Sequence, residues 1–158
     1  MINQVKLFMQ LMGQDMPNQP TIPLAHIQQL RFGLIDEENK ELADAAAAGD
    51  LVEVADALCD TLYVVFGACL AYGFSPELME KLFAEVQASN MSKACKTEKE
   101  AKLTLARYQD QFPEIPVYIK PIGEYYVICR EADGKVLKSI RWEEPDLKSI
   151  LIKYGVSL

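Results

Sequence analysis

The sequence predicts a mostly α-helical bundle with a small C-terminal β-hairpin. The first observation is the placing of the prolines, which cluster at residues 17–23 and 113–121 and leave only Pro76 in residues 24–112. Because proline ends or kinks a helix, a long stretch almost free of it favours a succession of helices. The second observation is that apolar residues recur at helical spacing through this stretch.

The third observation is a change of composition near the C-terminus. Residues 124–131 are rich in aromatic and β-branched side chains, and residues 136–142 resume a strand pattern after an Asp133-Gly134 pair. An Asp-Gly pair between two such runs is typical of a β-hairpin. We therefore predict a hairpin that turns at this pair, followed by a short helix over about residues 145–154.

Local signals place the ends of the helices. Asp50 is a good N-cap, Gly73 suits a left-handed helix end, and Ser75-Pro76 is typical of a helix start. Five helices are thereby predicted over about residues 2–14, 24–47, 50–72, 76–91 and 96–111. The predicted organisation is a helical bundle over residues 1–112 and a C-terminal extension over residues 113–158.

Charge and composition exclude several classes of function. The 158 residues carry a formal net charge of −7, which argues against DNA, RNA or an anionic membrane as the main partner. The longest apolar stretch, residues 51–74, contains Glu53, Asp56 and Asp60, so we do not expect it to span a membrane. Four cysteines without a CxxC pair, one histidine and no secretory signal favour a cytoplasmic protein with reduced thiols.

Two short acidic motifs, the acidic strings at residues 37–41 and 53–56, lie on consecutive predicted helices. Glu38 and Glu41 share one face of the second helix, and Glu53 and Asp56 share one face of the third, because an i,i+3 step separates side chains by about 60°. The short connection makes the two helices an antiparallel hairpin. The two pairs are about equally far from its turn, so we expect the four carboxylates to face one another.

A solvated acidic face is the ordinary explanation for such strings. The third helix weakens it, since almost every other residue there is apolar or small, which predicts a buried helix. Buried acids are costly unless they are paired or bind metal, and a divalent cation such as Mg²⁺ or Mn²⁺ would relieve their repulsion. A di-iron centre is disfavoured because the chain lacks a Glu-x-x-His pair.

Three further residues are candidates for binding an anion. Arg31 lies two turns before Glu38 on the same face, where it suits either a phosphate or an ion pair with a nearby acid. Asn90 and Lys93 continue the core-facing stripe of the fourth helix into its end, which suggests a ligand. The alternative for this pair is a frayed helix end with a lysine beside the helix dipole.

These motifs together resemble the all-α nucleoside triphosphate pyrophosphohydrolase superfamily, which includes MazG. The likeness rests on LIDEENKEL, DLVEVADALCDTLYVVFG and AEVQASNMSK, and the SNMSK string and DGKVLKS resemble its phosphoribosyl-ATP pyrophosphohydrolase-like branch. The resemblance implies the all-α fold of that superfamily and metal ligands at Glu38, Glu41, Glu53 and Asp56. It also implies nucleotide or phosphate contacts near Asn90 and Lys93.

The activity that this resemblance implies is Mg²⁺-dependent cleavage of a nucleotide between the α- and β-phosphates, giving a monophosphate and pyrophosphate. Glu38 or Glu41 would accept the proton of the attacking water. Arg31 and Lys93 would stabilise phosphate charge, and Asn90 would position the nucleotide. A homodimer or homotetramer is expected. The alternatives are a non-catalytic metal- and nucleotide-binding sensor, or a purely structural helical protein.

Overall fold

The computed structural model describes residues 1–157 and confirms a mostly helical chain, 59% of which is helix, with a small antiparallel sheet. The elements follow one another as α1 (Ile2–Leu11), α2 (Ala25–Ala48), α3 (Leu51–Ala71), α4 (Pro76–Met91), α5 (Glu98–Gln111), β1 (Val117–Ile122), β2 (Tyr125–Arg130) and α6 (Leu147–Lys153). All six predicted helices are present, with ends that differ by up to three residues from those predicted.

The predicted caps explain why the helices begin and end where they do. The Asp50 carboxylate accepts hydrogen bonds from the backbone N–H groups of Val52 and Glu53, at 3.0 and 3.2 Å. The Ser75 hydroxyl accepts from the N–H of Leu78 at 3.2 Å. Gly73, just beyond α3, has the left-handed φ of 75° that the sequence predicted.

The described residues form two compact units, one of residues 1–81 with 148–157 and the other of residues 82–147. Helix α5 packs against both β1 and β2 and so lies in the second unit, while the division into parts 1–112 and 113–158 stays a prediction from the sequence.

The first unit is built on the antiparallel hairpin of α2 and α3. Gly49 joins the two helices with a left-handed φ of 70°, and its N–H bonds to the carbonyl of Ala46. Helix α1 packs against α3, and the core between them contains Val5, Met9 and Leu70. This hairpin carries both acidic strings.

Helix α3 is much less buried than its composition predicted. Leu51 and Val52 are 79% and 75% exposed, and Leu58 and Leu62 are about half exposed. The expectation of a helix buried on nearly every side was therefore wrong for a single chain, because α1 and α2 are the only elements among residues 1–157 that pack extensively against α3. Because most residues of α3 are apolar, the helix exposes apolar surface to solvent.

Helix α3 is also long and apolar enough to span a membrane by those two criteria, with a mean hydropathy of 1.6 over its most apolar window. It carries acids within that length, which are costly in a bilayer core. The absence of a membrane span therefore stays a prediction.

The β-hairpin is present, but its strands pair differently from the prediction. Strand β2 pairs with the upstream strand β1 through a turn at Gly123-Glu124, not with residues 136–142. Pro121 lies within β1. Proline is tolerated in an edge strand, and both strands of a two-stranded sheet are edges. The Asp133-Gly134 turn does form, but beyond it only an isolated bridge joins Val136 to Cys129.

The second unit has its own core between α5 and the sheet. Cys95, Ala101 and Ile128 are completely buried there. The backbone of Cys95 pairs with that of Tyr126 through two hydrogen bonds of 2.8 and 2.9 Å, which extends the sheet by one bridge beyond β2. The residues that follow α4 are thereby held to the hairpin.

Candidate active site

Glu38 is the acid with the most unusual environment in the first unit. It lies near the middle of α2 and is half-buried, and one of its carboxylate oxygens is buried with no hydrogen-bond partner. Burial raises the pKa of Glu38, and the neighbouring carboxylates of Glu41, Asp60, Glu37 and Asp56 raise it further. A cation at this place would satisfy the oxygen and reduce the repulsion.

Several acids of both helices act on Glu38. Of the other predicted ligands, Glu41 and Asp56 raise the pKa of Glu38, and Glu37 and Asp60 also raise it. Glu53 lies in the first turn of α3, nearer the connection between the helices. Among residues 1–157, no three His, Cys, Asp or Glu side chains converge closely enough to hold a metal ion as they stand.

Most of the acids predicted to bind metal are not buried. Glu53, Asp56 and Asp60 on α3 are exposed, as is Glu41 on α2, so burial does not disfavour their charges as predicted. The charge that burial disfavours is instead that of Glu38. The exposed acids retain the freedom to change rotamer towards an ion.

The raised pKa of Glu38 predicts a pH effect on stability. Because the folded state disfavours the ionised form, the contribution of Glu38 to stability is greatest at low pH and falls as the pH rises through its folded-state pKa. In metal-free buffer, Glu38→Gln should therefore become increasingly stabilising relative to wild type as the pH rises above about 4. Urea unfolding at each pH measures the difference. The same change at the exposed Glu80 on α4 should show no such trend.

Arg31 occupies a different environment from the one predicted. It is only 9% exposed, and its Nη2 donates a hydrogen bond of 2.9 Å to the Gln14 side chain. A Cβ added to Gly67 of α3 would lie 3.1 Å from Nη1 of Arg31, so a glycine at this position leaves room for the guanidinium. Burial lowers the pKa of Arg31, and in the described part of the chain no acid forms an ion pair with it. Of the two predicted roles, the ion pair is therefore not found.

We expect Gln14 to stabilise the first unit through Arg31. In Gln14→Ala, Nη2 of the largely buried Arg31 loses its acceptor. We expect the free energy of unfolding to fall by about 1 kcal/mol. Urea denaturation measures this loss. Gln29→Ala, at an exposed position of α2, is the matched control and should change it by less than about 0.5 kcal/mol.

Asn90 and Lys93 lie in the second unit, at the end of α4. The Lys93 ammonium donates to the Asn90 side-chain oxygen at 2.8 Å, so the two act as a pair one helical turn apart. Asn90 is exposed and Lys93 is half-buried. The pair is accessible to a ligand, but Asn90 does not continue the core-facing stripe of α4 as predicted, and the binding role of the pair stays a prediction.

The serines of the same SNMSK string have a structural role that the sequence did not predict. Ser89 donates to the carbonyl of Glu143 at 2.8 Å, and Ser92 accepts from the N–H of Glu143 at 3.1 Å. Ser139 donates to the carbonyl of Ser92 at 2.7 Å. These bonds fix the end of α4 to residues 139–143. The signal was present as small hydroxyl residues on either side of Asn90, but their partners lie about fifty residues away.

The sequence profile of the phosphoribosyl-ATP pyrophosphohydrolase family matches residues 5–90, just over half of the chain. The chain belongs to this family. The phosphoribosyl-ATP pyrophosphohydrolase family is a member of the all-α nucleoside triphosphate pyrophosphohydrolase superfamily, so the predicted family and fold are confirmed. A search of curated proteins finds no match.

Membership of the phosphoribosyl-ATP pyrophosphohydrolase family indicates a hydrolase that acts on pyrophosphate bonds of nucleotides. The matched residues include Arg31, the acidic strings of α2 and α3, and Asn90 at their very end. Lys93, α5 and the hairpin lie beyond them. The family match therefore covers most of the first unit and most of α4, and the rest of the second unit lies outside it.

Proposed function

We propose that this protein is a Mg²⁺-dependent pyrophosphohydrolase that cleaves a nucleoside triphosphate or related nucleotide between the α- and β-phosphates. The products would be a nucleoside monophosphate and pyrophosphate. The observation that carries the proposal is the environment of Glu38. A half-buried carboxylate with an unpartnered oxygen, whose pKa four other acids raise, suits a site for a hard divalent cation.

The residues present fit Mg²⁺ by their chemistry. Carboxylate oxygens are the ligands that Mg²⁺ prefers, and Mn²⁺ accepts the same ones. We propose Glu38, Glu41, Glu53 and Asp56 as the ligands, with Asp60 as a further candidate because it also raises the pKa of Glu38. The exposed members of this set would rotate to reach the ion. When bound, the metal would supply charge neutralisation for the phosphates and acidify a water.

The chain's own groups would handle the proton and the phosphates. Glu38 has a raised pKa, which suits a carboxylate that accepts a proton from water, and Glu41 is the alternative base. Asn90 and Lys93 would contact the nucleotide, with the lysine stabilising phosphate charge. The burial of Arg31 and its bond to Gln14 favour a positioning role between α1 and the hairpin over direct phosphate contact.

We further propose that the protein functions as a homodimer or homotetramer. The support is the apolar surface of the first unit, where Leu30 and Phe32 of α2 and Leu51 and Val52 of α3 are more than half exposed. Exposed apolar side chains on a protein surface often mark an interface. A second copy would cover α3 and lower the effective dielectric around its acids, which would strengthen their binding of an ion.

The experiment is a pyrophosphate-release screen with the canonical ribo- and deoxyribonucleoside triphosphates and phosphoribosyl-ATP, in Mg²⁺ or Mn²⁺. Wild type should release pyrophosphate from at least one of them, and EDTA should abolish the release. Glu53→Gln should reduce it, with Glu80→Gln as the control for loss of an exposed acid. Metal-dependent nucleotide binding without product would instead support the sensor. A lack of both would contradict the proposal.

A further inference from the structure

The second unit contains a cleft of about 370 Å³ that is open to solvent on one side. Small-molecule sites in proteins usually have volumes of about 300–1,000 Å³, so this cleft can take a ligand of modest size. Except for Ala88, its lining lies beyond the residues that match the family. The side chains that matter for recognition are those of Lys96, Tyr125, Arg141 and Glu143.

Two cations from different segments line this cleft. Lys96 follows α4, and its ammonium forms no ion pair with any acid in residues 1–157. Arg141 uses Nη1 to bind Glu100 at 3.0 Å, but a guanidinium has five N–H donors, so others remain for a second acceptor. Both cations line the same cleft although the chain as a whole has a net charge of −7. They suit a phosphate group.

The other two side chains suit the remainder of a nucleotide. Tyr125 is 42% exposed, so part of its ring is free to stack on a base. Glu143 is exposed and adds a carboxylate, which accepts hydrogen bonds from sugar hydroxyls but repels a second anionic group nearby. One anionic group, one planar ring and a set of hydroxyls describe a nucleoside monophosphate better than a triphosphate.

The walls of the cleft are held in place before any ligand binds. Ser89 and Ser92 bond both backbone groups of Glu143, and Ser139 accepts from the N–H of Arg141 at 2.9 Å. The Glu100 carboxylate accepts from the N–H of Lys96 at 2.9 Å as well as from Arg141, so it fixes both cation-bearing segments. A preorganised site loses less conformational entropy on binding.

We infer that this cleft is a metal-independent binding site for a nucleoside monophosphate. The inference does not rest on the proposed function, because the cleft is lined by none of the proposed metal ligands and by neither Asn90 nor Lys93. Its ligand class includes the product that the proposed reaction would release. The two claims can fail separately.

Isothermal titration calorimetry with AMP, GMP, CMP and UMP in EDTA tests the inference. At least one should bind wild type, and ribose 5-phosphate should bind roughly tenfold more weakly because it has no ring for Tyr125. Lys96→Ala should weaken binding roughly tenfold. Lys99→Ala, which removes a nearby exposed lysine outside the cleft, should leave the affinity unchanged.

The tyrosine provides a second, conservative test. Tyr125→Ala should weaken binding roughly tenfold, whereas Tyr125→Phe keeps the ring and should retain most of the affinity. Glu53→Gln should bind as tightly as wild type. No binding by any of the four nucleotides, binding that Lys96→Ala and Tyr125→Ala leave unchanged, or binding that Glu53→Gln abolishes would each overturn the inference. If pyrophosphate release persists in that case, the proposed function stands without it.

Discussion

Glu38→Gln should lower kcat/KM for pyrophosphate release by roughly 10²–10⁴-fold while the protein stays folded. The amide keeps the shape of the side chain but loses the negative charge that a divalent cation needs and the ability to accept a proton from water. Steady-state assays with the best substrate from the screen, in saturating Mg²⁺, measure the loss. Circular dichroism and thermal unfolding check the fold.

The same variant separates catalysis from structure. In metal-free buffer Glu38→Gln should raise the midpoint of thermal unfolding, because Glu41, Asp60, Glu37 and Asp56 then surround a neutral group. Mg²⁺ should stabilise wild type and stabilise the variant much less. Glu80→Gln should behave as wild type in every assay. A Glu38→Gln protein with full activity would rule out this carboxylate as ligand or base, and a gain in stability alone would favour a structural protein.

Gly73→Ala should destabilise the protein more than other small-residue changes in the first unit. Its φ of 75° already disfavours a side chain, and an added Cβ would lie 2.1 Å from the backbone oxygen of Gln19. That oxygen cannot rotate away, since the chain there is fixed by the bond from the Thr21 N–H to the carbonyl of Tyr72, at 3.0 Å. We expect a loss of about 3 kcal/mol or more in the free energy of unfolding, from urea denaturation.

Gly49→Ala is the matched control for Gly73→Ala. Gly49 ends α2 with a φ of 70°, nearly the same as that of Gly73, but no atom lies within 4 Å of its added Cβ. Its replacement should cost only the left-handed conformation, about 1 kcal/mol. Equal losses in the two variants would show that the close approach of Gln19 has no energetic consequence.

The helices could be predicted because their signals are local. Asp50, Gly73 and the Ser75-Pro76 pair act within one turn of the chain, and each has the predicted role in the structure. The strand that pairs with β2 could not be predicted in this way, because two segments flank β2 in the sequence and compete to pair with it. The upstream segment pairs despite Pro121, and the sequence gives no local measure of that competition.

The site was predictable in part for the same reason. Helical periodicity placed Glu38, Glu41 and Asp56 near one another, and in the structure Glu41, Asp56 and Asp60 all raise the pKa of Glu38. Angular position on α2 suggested that Arg31 shares the acidic face, whereas the loop after α1 supplies Gln14 as its partner. The bonds of Ser89 and Ser92 to residue 143 depend on a distant segment and could not be read from the helix alone.

The central claim is tested most directly by the identity of the products. Phosphorus NMR of the reaction with the best substrate in Mg²⁺ distinguishes hydrolysis at the α–β bond from hydrolysis at the β–γ bond. The account predicts nucleoside monophosphate and pyrophosphate in equal amounts, none with EDTA, and little or none with Glu38→Gln. Formation of nucleoside diphosphate and orthophosphate, or the same products from Glu38→Gln at the wild-type rate, would contradict it.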